Sequence, residues 1–164
     1  MTPPLVLWTA RVAALAWLCS WVVRLSDRAS RPQRLSLVLT TAGCLVYLVH
    51  VVAAFALVHD WRHAQAWEQT ARETRAVTGI DWGGGVWFNY AFTLLWPVNV
   101  ARWWWEWLCG RRWPRWAAIA METFLAFIIV NATIVFGPKW WWAVYAAAGF
   151  GLGMQRRLAA RRDD

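Results

Sequence analysis

The sequence predicts an all-α fold, an integral membrane helical bundle, and three observations carry that expectation. Of the 164 residues, 60% are hydrophobic and only 16% are charged, with a mean hydropathy of +0.33, a balance too apolar for an ordinary soluble domain. Apolar runs recur along the chain at about 20 residues each, the length that crosses a hydrocarbon core at 1.5 Å per residue. The 17 tryptophans gather at the ends of these runs, as in Trp103, Trp104, Trp105 and Trp107, or Trp140, Trp141 and Trp142. Indole has an apolar body and one N–H that wants a polar partner, so such clusters read as the aromatic belt of a bilayer interface. One transmembrane domain, 1–164, follows, with spans at 5–25, 37–58, 86–103, 116–136 and 139–154.

The first span opens after Pro3 and Pro4, which suit a helix start, and carries Arg11 within it. No basic stretch precedes it and no small-residue cleavage site follows, so it reads as a span rather than a signal peptide. Ser26 to Ser36 is a basic connection with Asp27, Arg28, Arg31 and Arg34, broken by Pro32. The second span, 37–58, leads into 60–79, which lacks Gly and Pro until Gly79 and pairs Glu68 with Arg72 at i,i+4. That segment is expected to continue the helix and, with a weak stripe of Ala64, Trp67, Ala71 and Thr74, to lie at the outer interface as an amphipathic helix.

Gly83, Gly84 and Gly85 then make a permissive turn into the third span, which holds Pro97 and is expected to kink there. A second basic connection, 106–115, precedes the fourth span, and Gly137–Pro138 turns into a short fifth. Four spans would leave 139–154 on the surface, which its even apolarity opposes. Basic connections follow the first, third and fifth spans, while 60–81 balances its charge and the last turn has only Lys139. The positive-inside rule therefore places the N-terminus outside and the C-terminus inside.

The net charge of +8 and pI near 10.7 sit in these short connections, where they set topology and meet anionic head groups; no nucleic-acid module is recognisable. Cys19, Cys44 and Cys109 are odd in number and widely spaced, the first two in spans and the third in a basic loop. They form no disulfide or zinc framework and are expected to be buried small hydrophobes.

Polar groups inside a bilayer are costly, so those that converge mark a pocket. Under this topology Arg11, His50, Asn89, Tyr90 and Asn131 fall at similar depth in the outer half, and form the expected polar cluster. His59 and His63 are spaced i,i+4, a geometry that suits two ligands of one transition-metal ion, with Glu68, Asp60 or Asp81 supplying a carboxylate. Interfacial histidines that cap a helix end are the competing account. His50, deepest of the three, suits an axial haem or chlorin ligand only with a second ligand from elsewhere, or a proton relay with Tyr90. Glu122 is the one acid well inside a span; it is expected to pair with Arg102 or Arg24, or to stay protonated. Gly149-x-x-x-Gly153 gives the fifth span a smooth face for close packing. The triple glycine lacks a following Lys-Ser/Thr, so it is no phosphate loop, and no nucleophile triad is present in the sequence.

The histidines at a helix end, TRAVTGIDWGGGVWFNYAF with its following WWW, and VNATIVFG at 130–137 resemble a group of small, uncharacterised bacterial polytopic membrane proteins. The resemblance covers roughly the middle half of the chain and implies a bacterial inner-membrane setting; no activity comes with it. The expected role is a structural, assembly or ligand-binding component of the inner membrane, alone, as a homo-oligomer or with other membrane subunits. The alternatives are a metal-dependent oxidoreductase or metal-handling protein using His59 and His63, and a small oligomeric transporter coupled through Glu122 or His50. No cofactor is required by the sequence, with a transition-metal ion the one that its residues would suit.

Overall fold

A computed structural model describes residues 3–26 and 34–163, with the side chains of 156 and 158–163 outside that description. The basic connection at 27–33, and with it Asp27, Arg28, Arg31 and Pro32, also lies outside the described residues. The elements are α1 (Pro4–Ser26), α2 (Arg34–Leu57), α3 (His63–Thr78), α4 (Gly85–Cys109), α5 (Arg115–Val130), which runs on as a π-helical turn (Asn131–Val135), and α6 (Trp140–Asp163). The described residues are helical with no strand. Three helices are long and apolar enough to cross a membrane: Pro4–Ser26, Arg34–Leu57 and Arg115–Val135.

The five expected spans are thus matched by three helices of membrane-crossing composition. The expected third span lengthens into the 25-residue α4, and the expected fifth becomes the first half of a 24-residue α6 that continues through the basic C-terminal segment. Both fall short on hydropathy for a physical reason. The six tryptophans of α4 are bulky yet only weakly apolar by transfer, and Arg102 and Glu106 add charge. Helix α4 runs continuously through Pro97 and closes at Gly110 in the left-handed region.

Neighbouring helices alternate in direction. His50, late in α2, meets Val6, early in α1, at 2.9 Å; Trp104, late in α4, donates from its indole to Thr41, early in α2, at 3.0 Å. Tyr145 of α6 meets Thr133 at 3.1 Å, and Arg11 of α1 lies 5.9 Å from the Trp140 ring at the start of α6. The ends bearing Arg24, Arg34 and Arg115 therefore share one side, opposite the histidines and Lys139. Gly43 permits the close approach of α1 and α2: a methyl there would meet the Ala13 carbonyl and Ala16 Cβ at 3.2 Å and Trp96 at 3.3 Å.

The core threads through the helices as Ala13, Ala14, Trp17, Cys44, Phe92, Trp96, Leu125, Ile129 and Trp141. Outward-facing positions are also apolar, among them Leu45, Leu94 (70% exposed), Leu108 and Phe150 (74% exposed). Surfaces of this size without polar cover fit a hydrocarbon solvent.

The expectation that 60–79 continues the second helix is corrected. Helix α2 ends at Leu57, and Asp60 and Trp61 take positive φ values of 47° and 55°. The last carbonyls of α2 are met by this turn instead of by further helix, with His59 N–H donating to Ala54 O at 3.1 Å and Trp61 N–H to Phe55 O at 3.0 Å. Aspartate tolerates the left-handed region better than most residues, a local preference that the helical pattern around it conceals. The new helix stops as expected at Gly79, whose φ of 79° places it in the left-handed cap.

Candidate functional site

The helix break disposes of the shared face expected for His59 and His63, since the two histidines now belong to a turn and to the first residue of α3. Among the described residues no group of three His, Cys, Asp or Glu is placed to hold a metal ion. Glu68 instead forms an exposed i,i+4 ion pair with Arg72 at 3.8 Å. His63 Nδ1 lies 2.9 Å from the Tyr90 hydroxyl, and His59 packs edge-on against Phe55 at 5.4 Å. Burial of His59 lowers its pKa, against a weaker opposing pull from Glu73. These residues form an aromatic junction that fastens α2, α3 and α4 together.

The residues of the expected outer polar cluster are placed as follows. His50 donates from Nδ1 to the Val6 carbonyl at 2.9 Å, with Thr9 Oγ1 at 3.4 Å. The Arg11 guanidinium lies 5.1 Å from the Trp8 ring and 5.9 Å from the Trp140 ring. Tyr90 pairs with His63, Asn89 is exposed, and Asn131 donates to Phe127 O in its own helix at 2.8 Å. Arg11, His50, Tyr90 and Asn131 make separate contacts, and none of these joins two members of the set. Each holds one helix to another or caps its own backbone, as polar side chains in membrane bundles do.

The structure assembles its polar centre on the other side, where α1, α4 and α5 meet. Arg102 is 2% exposed. It donates from Nε and Nη2 to Asn99 Oδ1 at 3.1 and 2.8 Å, from Nη1 to Glu106 Oε1 at 2.9 Å, and from Nη2 to Glu122 Oε1. The Trp103 indole N–H donates to the same Glu122 oxygen at 2.7 Å, and Arg24 Nη1 forms an ion pair with it at 3.6 Å. The Arg24 guanidinium stacks over Trp103, 4.3 Å from its ring centre, and over Trp21 at 5.6 Å. Two guanidinium groups and two carboxylates balance one another, so the charge is neutralised where an isolated ion would be expelled.

Of the two partners expected for Glu122, both are present. Asn99, Glu106 and Trp103 were not among the expected site residues. Their signal is in the sequence: Asn99, Arg102 and Glu106 are spaced i, i+3, i+7, which puts them on one face of α4.

Glu122 is unevenly used. Its Oε1 gathers every donor, whereas Oε2 is buried without a hydrogen-bond partner, as are Arg24 Nη1 and Trp21 Nε1. Glu122 and Trp21 also line a groove of about 320 Å3 whose other walls are Trp17, Leu18, Leu25, Thr123, Ala126 and Val130, with Tyr145 of α6 at its far end. The groove is thus mainly apolar, with a carboxylate at one end and Thr123 beside it in the wall.

The cysteines stand apart from this centre: Cys44 is buried as expected, Cys19 is exposed on α1, and Cys109 ends α4 rather than sitting in a loop. Gly149 and Gly153 have open space around them, so the smooth face of α6 meets none of the described residues. No family model matches the chain, and no curated protein or solved structure is similar to it.

Proposed function

We propose that this chain is a five-span component of a bacterial inner membrane, N-terminus outside and C-terminus inside, that works by binding a ligand at the Glu122 groove. In this reading α4 and the first half of α6 are the two further spans, and α3 lies along the outer interface. The length of α4, about 37 Å at 1.5 Å per residue, and its core residues Phe92, Trp96 and Trp103 support its crossing. So does the alternation of helix direction, which brings the basic ends together as the positive-inside rule requires.

The observation that carries the binding role is the uneven use of Glu122. A carboxylate retained only to fix helix register would have both oxygens satisfied, because an unpaired buried acceptor costs roughly 1–3 kcal/mol. Here one oxygen is saturated and the other is unpartnered in a residue that lines a groove. The open space around Gly149 and Gly153 of α6 supports association with a second copy or another membrane subunit.

Native mass spectrometry of gently solubilised protein tests the binding role. The wild type is expected to retain one non-covalent adduct that a folded Glu122→Gln variant loses. Identical bare spectra for both proteins would overturn it.

A further inference from the structure

The binding role leaves the ligand unnamed, and the groove's chemistry narrows it. Its walls on α1 and α5 extend from Glu122 to Val130, about 12 Å along the helix, and offer mainly hydrocarbon and indole faces between those ends, with Thr123 the one polar side chain next to Glu122. A hydrocarbon chain suits that path. At the Glu122 end three buried polar atoms make no hydrogen bond: one acceptor, Glu122 Oε2, and two donors, Trp21 Nε1 and Arg24 Nη1, the last held only by its 3.6 Å ion pair with Glu122 Oε1. An occupant must therefore donate to a carboxylate and accept from a guanidinium and an indole at once. Its head must carry both signs, because a lone anion would stand beside Glu122 and a lone cation beside Arg24.

We propose, resting on the binding role above, that the groove seats one phospholipid with a phosphoethanolamine head. Its primary ammonium donates to Glu122 Oε2, its phosphate accepts from Arg24 and Trp21, and one acyl segment lies along Leu18, Ala126 and Val130. The three polar atoms are shielded, so the head reaches them when Arg24 swings outward. Arg24 is the more loosely held of the two arginines: its side chain is 30% exposed, its ion pair with Glu122 is 3.6 Å long, and Nη1 makes no hydrogen bond, so its stacking on Trp103 and Trp21 is what has to give. Arg102, by contrast, is fixed by Asn99, Glu106 and Glu122 and keeps the carboxylate in place while Arg24 moves. Position agrees with the chemistry. Leu25 and Arg24 close the cytoplasmic end of α1 in the proposed topology, beside the basic end where inner-leaflet head groups lie.

The test is delipidated protein offered three lipids of identical acyl chains, with phosphoethanolamine, phosphocholine or phosphoglycerol heads, read by thermal shift and by adduct retention. The phosphocholine head keeps the charges but has no N–H to donate; the phosphoglycerol head keeps the phosphate without the cation. Phosphoethanolamine is expected to bind at least about tenfold tighter than either, the scale of a lost charge-assisted hydrogen bond. Glu122→Gln should abolish the preference. Because that variant disturbs the ion cluster, Ala126→Phe provides a second arm: it fills the groove without touching a charged residue and should keep the lipid-free melting temperature while losing the adduct. Equal retention of all three lipids, or an undiminished adduct in Ala126→Phe, overturns the lipid assignment. A Glu122-dependent adduct of another mass would overturn the lipid and leave the binding role standing, whereas loss of every Glu122-dependent adduct overturns both.

Discussion

Removing the guanidinium of Arg102 is the most informative single perturbation of this molecule. In Arg102→Met the side chain keeps much of its length and apolar stem but loses every donor, so Asn99 Oδ1 loses two hydrogen bonds and Glu122 Oε1 is left with Trp103 and the longer Arg24 pair. Glu106 loses its 2.9 Å bond from Arg102 and retains a 3.4 Å contact from the Trp113 backbone N–H. Breaking a buried ion pair from one side costs about 3–5 kcal/mol, because the remaining charge stays buried. At roughly 2–4 °C per kcal/mol for a chain of this size, the melting temperature should fall by about 6–20 °C. Circular dichroism melts in one detergent measure it. The double variant Arg102→Met/Glu122→Leu removes the stranded charge too and should recover about 2 kcal/mol relative to the sum of the single losses, the signature of direct coupling. A shift below about 2 °C for Arg102→Met, the size of an exposed pair, or strict additivity in the double variant, would refute the description of this cluster as a buried, mutually dependent network.

The remaining expectations concern the other side of the bundle and the packing between α1 and α2. Gly43→Val should destabilise by about 1–3 kcal/mol or more through overpacking, since even its first carbon would press on the Ala13 carbonyl at 3.2 Å; melts and α1–α2 cysteine crosslinking yields should fall together. His59 is held below its ordinary pKa of 6.5 by burial, so below that value the unfolded chain takes up more protons than the folded one. Stability should therefore decline as pH falls from 7 toward 5, and His59→Phe should flatten that decline; an unchanged pH profile in the variant would count against the assignment. Tyr90→Phe removes the hydrogen bond to the exposed His63 and should cost no more than about 0.5–1.5 kcal/mol by the same melts. Metal analysis of purified protein should give the same content for wild type and His59→Ala/His63→Ala; near-stoichiometric metal lost in the double variant would restore the metal site.

The helical class and the first, second and fourth spans are legible in the sequence because each is a long run of Leu, Val, Ile, Ala and Phe, whose apolarity needs no partner to be recognised. Helices α4 and α6 fall short of membrane-crossing hydropathy, α4 because it carries six tryptophans with Arg102 and Glu106, α6 because glycine and a basic C-terminal half dilute its apolar start. The turn at Asp60 and Trp61 is invisible to periodicity, since no glycine or proline marks it and the residues on either side are good helix formers. The same turn separates His59 from His63, so one local backbone event removes the shared helical face on which the metal pair was expected. For Glu122 the sequence identified the two possible cations but not that both would attend one oxygen. Which partner an acid selects depends on the relative depth and rotation of three helices, and those are set by packing such as Gly43 against Ala13 and Ala16. The Asn99, Arg102, Glu106 face could have been read from spacing alone, but the polar residues near the histidines, more numerous, drew attention away from it.

The binding role and the lipid assignment share one premise, that α4 crosses the bilayer and so places Glu122 and Arg102 toward its inner side. Cysteine accessibility tests it most directly. In a background with Cys19, Cys44 and Cys109 replaced by serine, single cysteines at Asp81 and Arg111 flank α4, both positions being exposed. A membrane-impermeant maleimide applied to intact cells should label position 81 at once and position 111 only after the membrane is opened. Labelling of both from the same side would contradict the crossing of α4.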